Sequence, residues 1–185
     1  MSNAKVIPNF SEEVLYDSNK LTKVIEEAIS KHDFELLEAI AKREQNTAFC
    51  LEFLTGEVLK AITETDKKKE LYLILMFIVM NPHSSRYVLK AVLDLILKNK
   101  AEPYISKYNI PEKIAGHKNI AYDIATTLYE TYHQDGMLWA LASNNYVPSW
   151  IHKEIMDNEK KNTELRFLAS KQLVEKYSAY MNLNK

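Results

Sequence analysis

Apolar side chains along this chain recur at helical spacing, and the alternation that marks β-strands is nowhere convincing. In the segment 119–133 they are Ile120, Ala121, Ile124, Ala125, Leu128, Tyr129 and Tyr132. They fill about 200° of a helical wheel drawn at about 100° per residue. A helix that packs against one layer of neighbours needs an arc nearer to about 100°. We therefore expect this helix to contact neighbours on two sides, as helices in stacked repeats do.

Polar residues that favour helix starts precede several of the apolar segments. They predict helices over 21–30 after Ser18, 34–43 after Asp33, 86–98 after Ser84, and 165–177 after Asn162 or Thr163. The continuous apolar run 71–80 is too short to cross a bilayer and predicts a helix that is buried on most sides. The prolines at positions 82, 103, 111 and 148 fall where helices should begin or have just ended. The chain is therefore predicted to be all-α.

A pair of apolar residues recurs as Ile114-Ala115, Leu141-Ala142 and Leu168-Ala169, at steps of 27 residues. Ile40-Ala41 and Ile78-Val79 fit the same frame at steps of 38 and 36 residues. Nine and thirteen positions after the second residue of a pair, apolar side chains recur; they are Cys50 and Leu54, Val88 and Val92, Ile124 and Leu128, and Ile151 and Ile155. Any amphipathic helix shows i, i+4 matches, so the equal 27-residue steps weigh most.

These repeats predict a solenoid of stacked helix pairs that forms a single helical-repeat domain over residues 1–185. The clearest repeats lie in 111–185, and the helices in 1–60 fit the frame less regularly. In the last unit Ser178 takes an apolar position, as a terminal repeat that faces water would.

The segment from Leu141-Ala142 to Leu168-Ala169 resembles the leucine-rich repeat variant family. The matching features are an asparagine turn at Asn144-Asn145, Pro148, an apolar helix, Asp157, and Leu165-Arg166 before the next Leu-Ala pair. Asn81-Pro82 resembles a second copy of the turn, whereas Asn145 stands where the family has proline. The resemblance implies a right-handed α-α superhelix that binds along an extended face, with no common activity. HEAT-like and armadillo-like repeats are close alternatives.

Composition excludes a bulk electrostatic partner, because 24 basic residues face 25 acidic ones and the net charge is -1. Nucleic-acid binding through a lysine-lined concave face is the alternative function. It is disfavoured because only Arg43, Arg86 and Arg166 could supply bidentate guanidinium contacts. We read Lys67, Lys68 and Lys69 as a solvated loop.

Cys50 is the single cysteine, so no disulfide or cysteine-rich metal site can form within one chain. Its apolar surroundings indicate an inert, buried thiol. Residues 1–10 lack the apolar core of a secretory leader. We therefore expect a cytoplasmic protein without a membrane partner; its size and composition suit a small bacterial immunity or inhibitor protein.

Catalytic, cofactor and metal sites are not predicted. The five histidines, at positions 32, 83, 117, 133 and 152, form no i, i+4 pair with a flanking carboxylate, and each is expected at the surface or at a helix cap. Three scattered glycines cannot build a phosphate-binding loop. The chain is therefore expected not to be an enzyme.

Aromatic residues are the remaining signal, since eight of eleven tyrosines and both tryptophans lie in the carboxy-terminal half. Tyrosine and tryptophan often carry binding energy at protein interfaces. The candidate partner-binding residues are Tyr129, Tyr132, Trp139, Tyr146 and Trp150, of which at least two are expected to be exposed on a common face. The predicted function is a non-catalytic interaction module, a scaffold or inhibitor, that binds another protein.

Overall fold

The computed structural model describes residues 18–183, and within them the chain is helical without strands. The eleven helices of this part are α1 (Ser18–Ser30), α2 (Phe34–Lys42), α3 (Ala48–Glu64), α4 (Lys68–Met80), α5 (Arg86–Lys98), α6 (Pro103–Lys107), α7 (Ile110–Ala115), α8 (Tyr122–Thr131), α9 (Asp135–Ser143), α10 (Ser149–Asp157) and α11 (Thr163–Leu183). The all-α prediction is confirmed. The expectation about a leader in 1–10 lies outside the described residues.

The described chain divides into two compact units, one ending at Tyr108 and the other beginning at Asn109. The first contains α1 to α6 and the second α7 to α11. Asn109 adopts a left-handed backbone conformation, with φ 49°, which asparagine tolerates better than most residues. The single-domain organisation stays a prediction.

In the first unit each helix packs on the helix after next: α1 on α3, α3 on α5, α2 on α4, and α4 on α6. The run 71–80 forms most of α4, in which Leu71, Tyr72, Ile74, Leu75, Ile78 and Val79 are buried. Burial on most sides, predicted from the apolar run, is therefore confirmed. Lys68 and Lys69 belong to the first turn of α4, so the predicted loop at 67–69 is wrong for them, although both are exposed.

In the second unit α7 packs on α9, and α9 packs on α11. α10 packs on both α9 and α11. Alternate helices thus contact each other here as well, which is how a helix in stacked pairs comes to be covered on two sides.

Four turns in the described residues share the same backbone hydrogen bonds. In the first, the amide of Arg43 donates to the carbonyl of Ile40, and the amide of Asn46 donates to the carbonyl of Arg43. The corresponding pairs of bonds link Ile78, Asn81 and Ser84, then Ile114, His117 and Ile120, and then Leu141, Asn144 and Val147. The four turns begin at the first residue of four of the five apolar pairs in the sequence repeat, and the fifth pair, Leu168-Ala169, has no such turn.

The helix that follows each turn also keeps the predicted register. Its N-cap residue lies six positions after the second residue of the pair: Thr47, Ser85, Ala121 and Pro148. The eight apolar side chains nine and thirteen positions after the pair are all buried, at 2% exposure or less. The repeat spacing therefore marks real structural equivalence between these segments.

Asparagine in two of the turns joins neighbouring helices of the same unit. The Asn81 side-chain amide donates to the carbonyls of Ala41 and Arg43, at 3.0 and 2.8 Å. The Asn144 amide donates in the same way to the carbonyls of Ala115 and His117, at 2.7 and 3.0 Å. Each asparagine is buried and satisfies two carbonyls at the end of the preceding repeat.

Several predicted boundaries are corrected by these turns. α8 begins at Tyr122, not near residue 119, because Ile120 belongs to the repeated turn. Ser85 rather than Ser84 caps α5, since the Ser84 hydroxyl donates instead to the carbonyl of Ile78. Leu168-Ala169 has no turn after it, because α11 continues to Leu183.

Candidate functional site

A groove of about 480 Å³ lies in the second unit, between the carboxy-terminal ends of α8 and α10 and the first half of α9. Its lining residues are Tyr129, Glu130, His133, Leu138, Ile155, Asn158 and Lys161. Leu138 and Ile155 are almost completely buried, at 4% and 2% exposure, so they form an apolar floor. Glu130, His133 and Asn158 are exposed at the rim.

Both signs of charge border this groove. The Lys161 ammonium group lies 3.4 Å from the Asp135 carboxylate at the start of α9, while Glu130 supplies a second carboxylate from α8. An apolar floor with a mixed polar rim is the usual composition of a protein interface. The arrangement can hold an apolar anchor side chain and hydrogen-bond the backbone around it.

One of the predicted aromatic residues, Tyr129, lines the groove, and a second, Trp150, packs against it. The ring of Tyr129 lies edge-on to the ring of Trp150, with centroids 5.6 Å apart and an interplanar angle of 90°. Burial raises the pKa of the Tyr129 hydroxyl, and the nearby Glu154 carboxylate adds to this effect. Trp150 therefore supports Tyr129 from α10, and both are half-buried.

The other three candidates lie in different surroundings. Trp139 is 36% exposed on α9, one helical turn after Asp135, and lies outside the groove lining. Tyr132 is half-buried. Burial raises the pKa of its hydroxyl, and the Glu112 carboxylate adds to this effect. Tyr146 is 65% exposed in the turn between α9 and α10. Exposure of at least two of the five is confirmed; that they share a face stays a prediction.

Sequence reasoning did not select Glu130, Leu138, Ile155 and Lys161 as site residues. The sequence carried a signal for one floor residue, Ile155, which occupies the thirteenth position of its repeat, and none for Leu138. The groove forms where the ends of α8 and α10 lie beside α9. Its rim depends on side chains from helices that are not adjacent in sequence.

Two histidines that were expected at the surface or at helix caps are buried. His117 is 7% exposed in its turn, and its Nδ1 accepts a hydrogen bond from the amide of Asn119 at 3.0 Å. His152 is fully buried in α10. Its Nδ1 lies 3.4 Å from the Lys176 ammonium group, which donates to the carbonyl of Val147. The surface interpretation of His152 is therefore wrong.

The environment of His152 strongly favours its neutral form. Burial lowers its pKa to about 4, and the Lys176 charge acts in the same direction. Backbone carbonyls of Leu141, Asn144 and Pro148 oppose this effect without reversing it. Burial also lowers the pKa of Lys176.

Cys50 is buried in α3, as predicted, and its Sγ lies 3.6 Å from Oδ1 of Asn46. Burial raises the pKa of its thiol to about 11, although the Arg43 charge opposes the effect. We expect iodoacetamide at neutral pH to leave Cys50 unmodified in the native protein and to alkylate it in denaturant, because the thiolate is the reactive form. Mass spectrometry measures this; rapid modification of the native protein would contradict it.

No group of three histidine, cysteine or acidic side chains within residues 18–183 is placed to hold a metal ion. In the same part of the chain, every helix is too short or too polar to cross a membrane.

Comparison with known proteins adds no relative to this picture. No family model matches the chain, and neither curated proteins nor solved structures gave a significant match.

Proposed function

We propose that this protein is a non-catalytic interaction module that binds a segment of another protein in the groove of its second unit. The observation that carries the proposal is the apolar floor of Leu138 and Ile155 beside Tyr129, whose ring packs edge-on against Trp150, under a rim with both charges. Aromatic anchors in partly desolvated pockets supply much of the energy of protein binding. An extended segment with one aromatic or aliphatic anchor is the partner that such a groove fits.

We further propose that the repeated helices stack into a right-handed α-α superhelix of the leucine-rich repeat variant, HEAT-like or armadillo-like kind. The shared turns and the packing of alternate helices in each unit support this arrangement. A cytoplasmic setting is supported by the buried, unpaired thiol of Cys50.

Nucleic-acid binding is less well supported as the alternative function. Seven lysines of the described residues pair with a carboxylate: Lys31, Lys42, Lys60, Lys68, Lys90, Lys161 and Lys171. Acidic side chains interspersed with lysines in this way weaken attraction to phosphates.

The test uses a displayed library of random peptides selected against the folded protein. We expect selected peptides to carry an apolar anchor, and Tyr129→Ala to weaken their binding by about 30-fold, since Tyr129 lines the groove and truncation of an interface hot spot costs about 2 kcal/mol. Fluorescence anisotropy with a labelled peptide gives the dissociation constants.

Tyr146→Ala is the matched control, because Tyr146 is an exposed aromatic residue of the same unit outside the groove lining. We expect it to leave the affinity unchanged. Lys161→Glu, which reverses a rim charge, should change which peptides bind. Binding that depends on Tyr146 and ignores both groove variants would contradict the proposed site.

A further inference from the structure

The last helix, α11, carries apolar side chains on two opposite sides. On one side Leu165, Ala169 and Leu173 are buried against the second unit. The other side exposes Phe167, Val174, Tyr177 and Met181, which are between 61% and 72% exposed. Ser178 is exposed, as the sequence predicted for a terminal unit that faces water, although most of this exposed side is apolar.

The exposed side of α11 has the spacing of a helix-pairing surface. Phe167, Val174 and Met181 follow one another at intervals of seven residues and form a stripe about 21 Å long. A seven-residue interval keeps side chains facing a partner helix along the whole contact. Tyr177 lies about 80° from Phe167 around the helix and widens the stripe on one flank.

The stripe is self-complementary in the antiparallel direction. A two-fold axis near residues 173–174 would place Phe167 of one copy beside Met181 of the other. The same axis pairs the large side chain of Tyr177 with the small side chain of Ser170. All these pairings share nearly the same midpoint in the sequence, so one axis satisfies them together.

The charges on the other flank obey the same symmetry. Lys171 and Glu175 lie on one flank of the stripe, with Nζ 3.9 Å from the carboxylate within the helix. Their midpoint is residue 173, so the axis would bring Lys171 of each copy beside Glu175 of its partner. Antiparallel helix pairs bring equivalent flanks together, which makes both cross-contacts attractive.

The area also suits a second copy of the chain. The four exposed side chains offer on the order of 500 Å² per copy, given the size of aromatic side chains. A standard interface takes about 800 Å² from each partner, and the flanking Lys171, Glu175 and serine side chains supply the difference. We infer that the protein forms a homodimer through antiparallel pairing of α11 with α11 of a second copy.

Light scattering after size exclusion, over a wide range of protein concentrations, tests the dimer. We expect a concentration-dependent dimer, and at least a tenfold rise in the dissociation constant for Val174→Lys, which places like charges at the axis. Tyr146→Lys is the matched control and should leave the dimer intact, because Tyr146 is equally exposed outside α11. A wild-type monomer at all concentrations, or a dimer unaffected by Val174→Lys, overturns the inference.

The register is tested with charge reversals. Lys171→Glu and Glu175→Lys should each weaken self-association, and an equimolar mixture of the two variants should form a heterodimer at least tenfold tighter than either homodimer. Failure of the mixture to restore dimerisation overturns the antiparallel register.

Cysteine cross-linking gives a second readout of direction. Val174→Cys should form a disulfide-linked dimer under mild oxidation, whereas Phe167→Cys should not, because it faces Met181 of the other copy. Equal cross-linking of both variants would indicate parallel pairing and overturn the inference. Native Cys50 is buried, so it does not compete in the folded protein.

Discussion

Replacement of Asn144 by alanine is expected to lower the free energy of unfolding of the second unit by about 3 kcal/mol. The Asn144 amide satisfies the carbonyls of Ala115 and His117, and its Oδ1 accepts a bond from the amide of Tyr146 at 2.9 Å. Alanine would remove the donor to the carbonyl of Ala115, leave the carbonyl of His117 with only the bond from the amide of Ile120, and remove the acceptor for the amide of Tyr146; a buried polar group left without its partner costs about 1–3 kcal/mol. Both tryptophans lie in the second unit, so denaturation followed by tryptophan fluorescence reports on it directly.

The neighbouring residue supplies the control for this experiment. Asn145 is exposed, and Asn145→Ala should change the unfolding free energy by no more than about 0.5 kcal/mol. Asn144→Asp keeps the acceptor but loses the amide donor, so its effect should approach that of alanine. Equal denaturation midpoints for Asn144→Ala and Asn145→Ala would show that the hydrogen bonds between α7 and the turn after α9 add nothing to stability.

Acidification from pH 6.5 to 4 should lower the free energy of unfolding of the second unit by about 3 kcal/mol through His152 alone. In the unfolded chain this histidine titrates near its ordinary pKa of 6.5, whereas in the fold the pKa is lowered to about 4. Below pH 6.5 the unfolded state therefore binds a proton that the native state does not. The stability that depends on this group is therefore complete above pH 6.5, falls between pH 6.5 and 4, and is fully lost below pH 4.

Substitutions can distinguish the contribution of His152 to the pH dependence of stability from that of carboxylates that titrate in the same pH range. Unfolding free energies measured at several pH values should show a shallower slope between pH 6.5 and 5 for His152→Leu than for the wild type. His133→Leu is the control, because His133 is exposed and should leave the slope unchanged. Lys176→Met should also reduce the slope, since the Lys176 charge helps to lower the pKa of His152. Identical slopes for the wild type and His152→Leu would contradict this account.

The sequence predicted the helical content and the repeat register because both depend on local spacing. Apolar pairs, N-cap positions and the buried side chains of α3, α5, α8 and α10 follow from short-range rules about helices and turns. The boundary of α8 was misplaced because Ile120 is apolar for a different reason: it fills the turn. Periodicity alone cannot separate these two roles.

The site depended on contacts that periodicity does not encode. His152 is buried because α11 covers it and brings Lys176 close, although the two residues are 24 positions apart. The groove unites side chains from α8, α9 and α10, and Tyr129 meets Trp150 across two helices. Composition could indicate that aromatic residues matter here, but only tertiary packing determines which of them remain accessible.

The four matching turns determine where insertions and deletions can occur in the chain. From the apolar pair to the thirteenth position after it the spacing is invariant, while the helices that follow the turns range from 17 residues in α3 to 9 in α10. The irregular steps of 38, 36 and 27 residues therefore arise entirely downstream of that invariant stretch. Each turn, together with the first part of the helix that follows it, is therefore a structural unit of constant length. Residues can be inserted or deleted at the ends of these helices, or in the connections after them, without changing the register of the next turn.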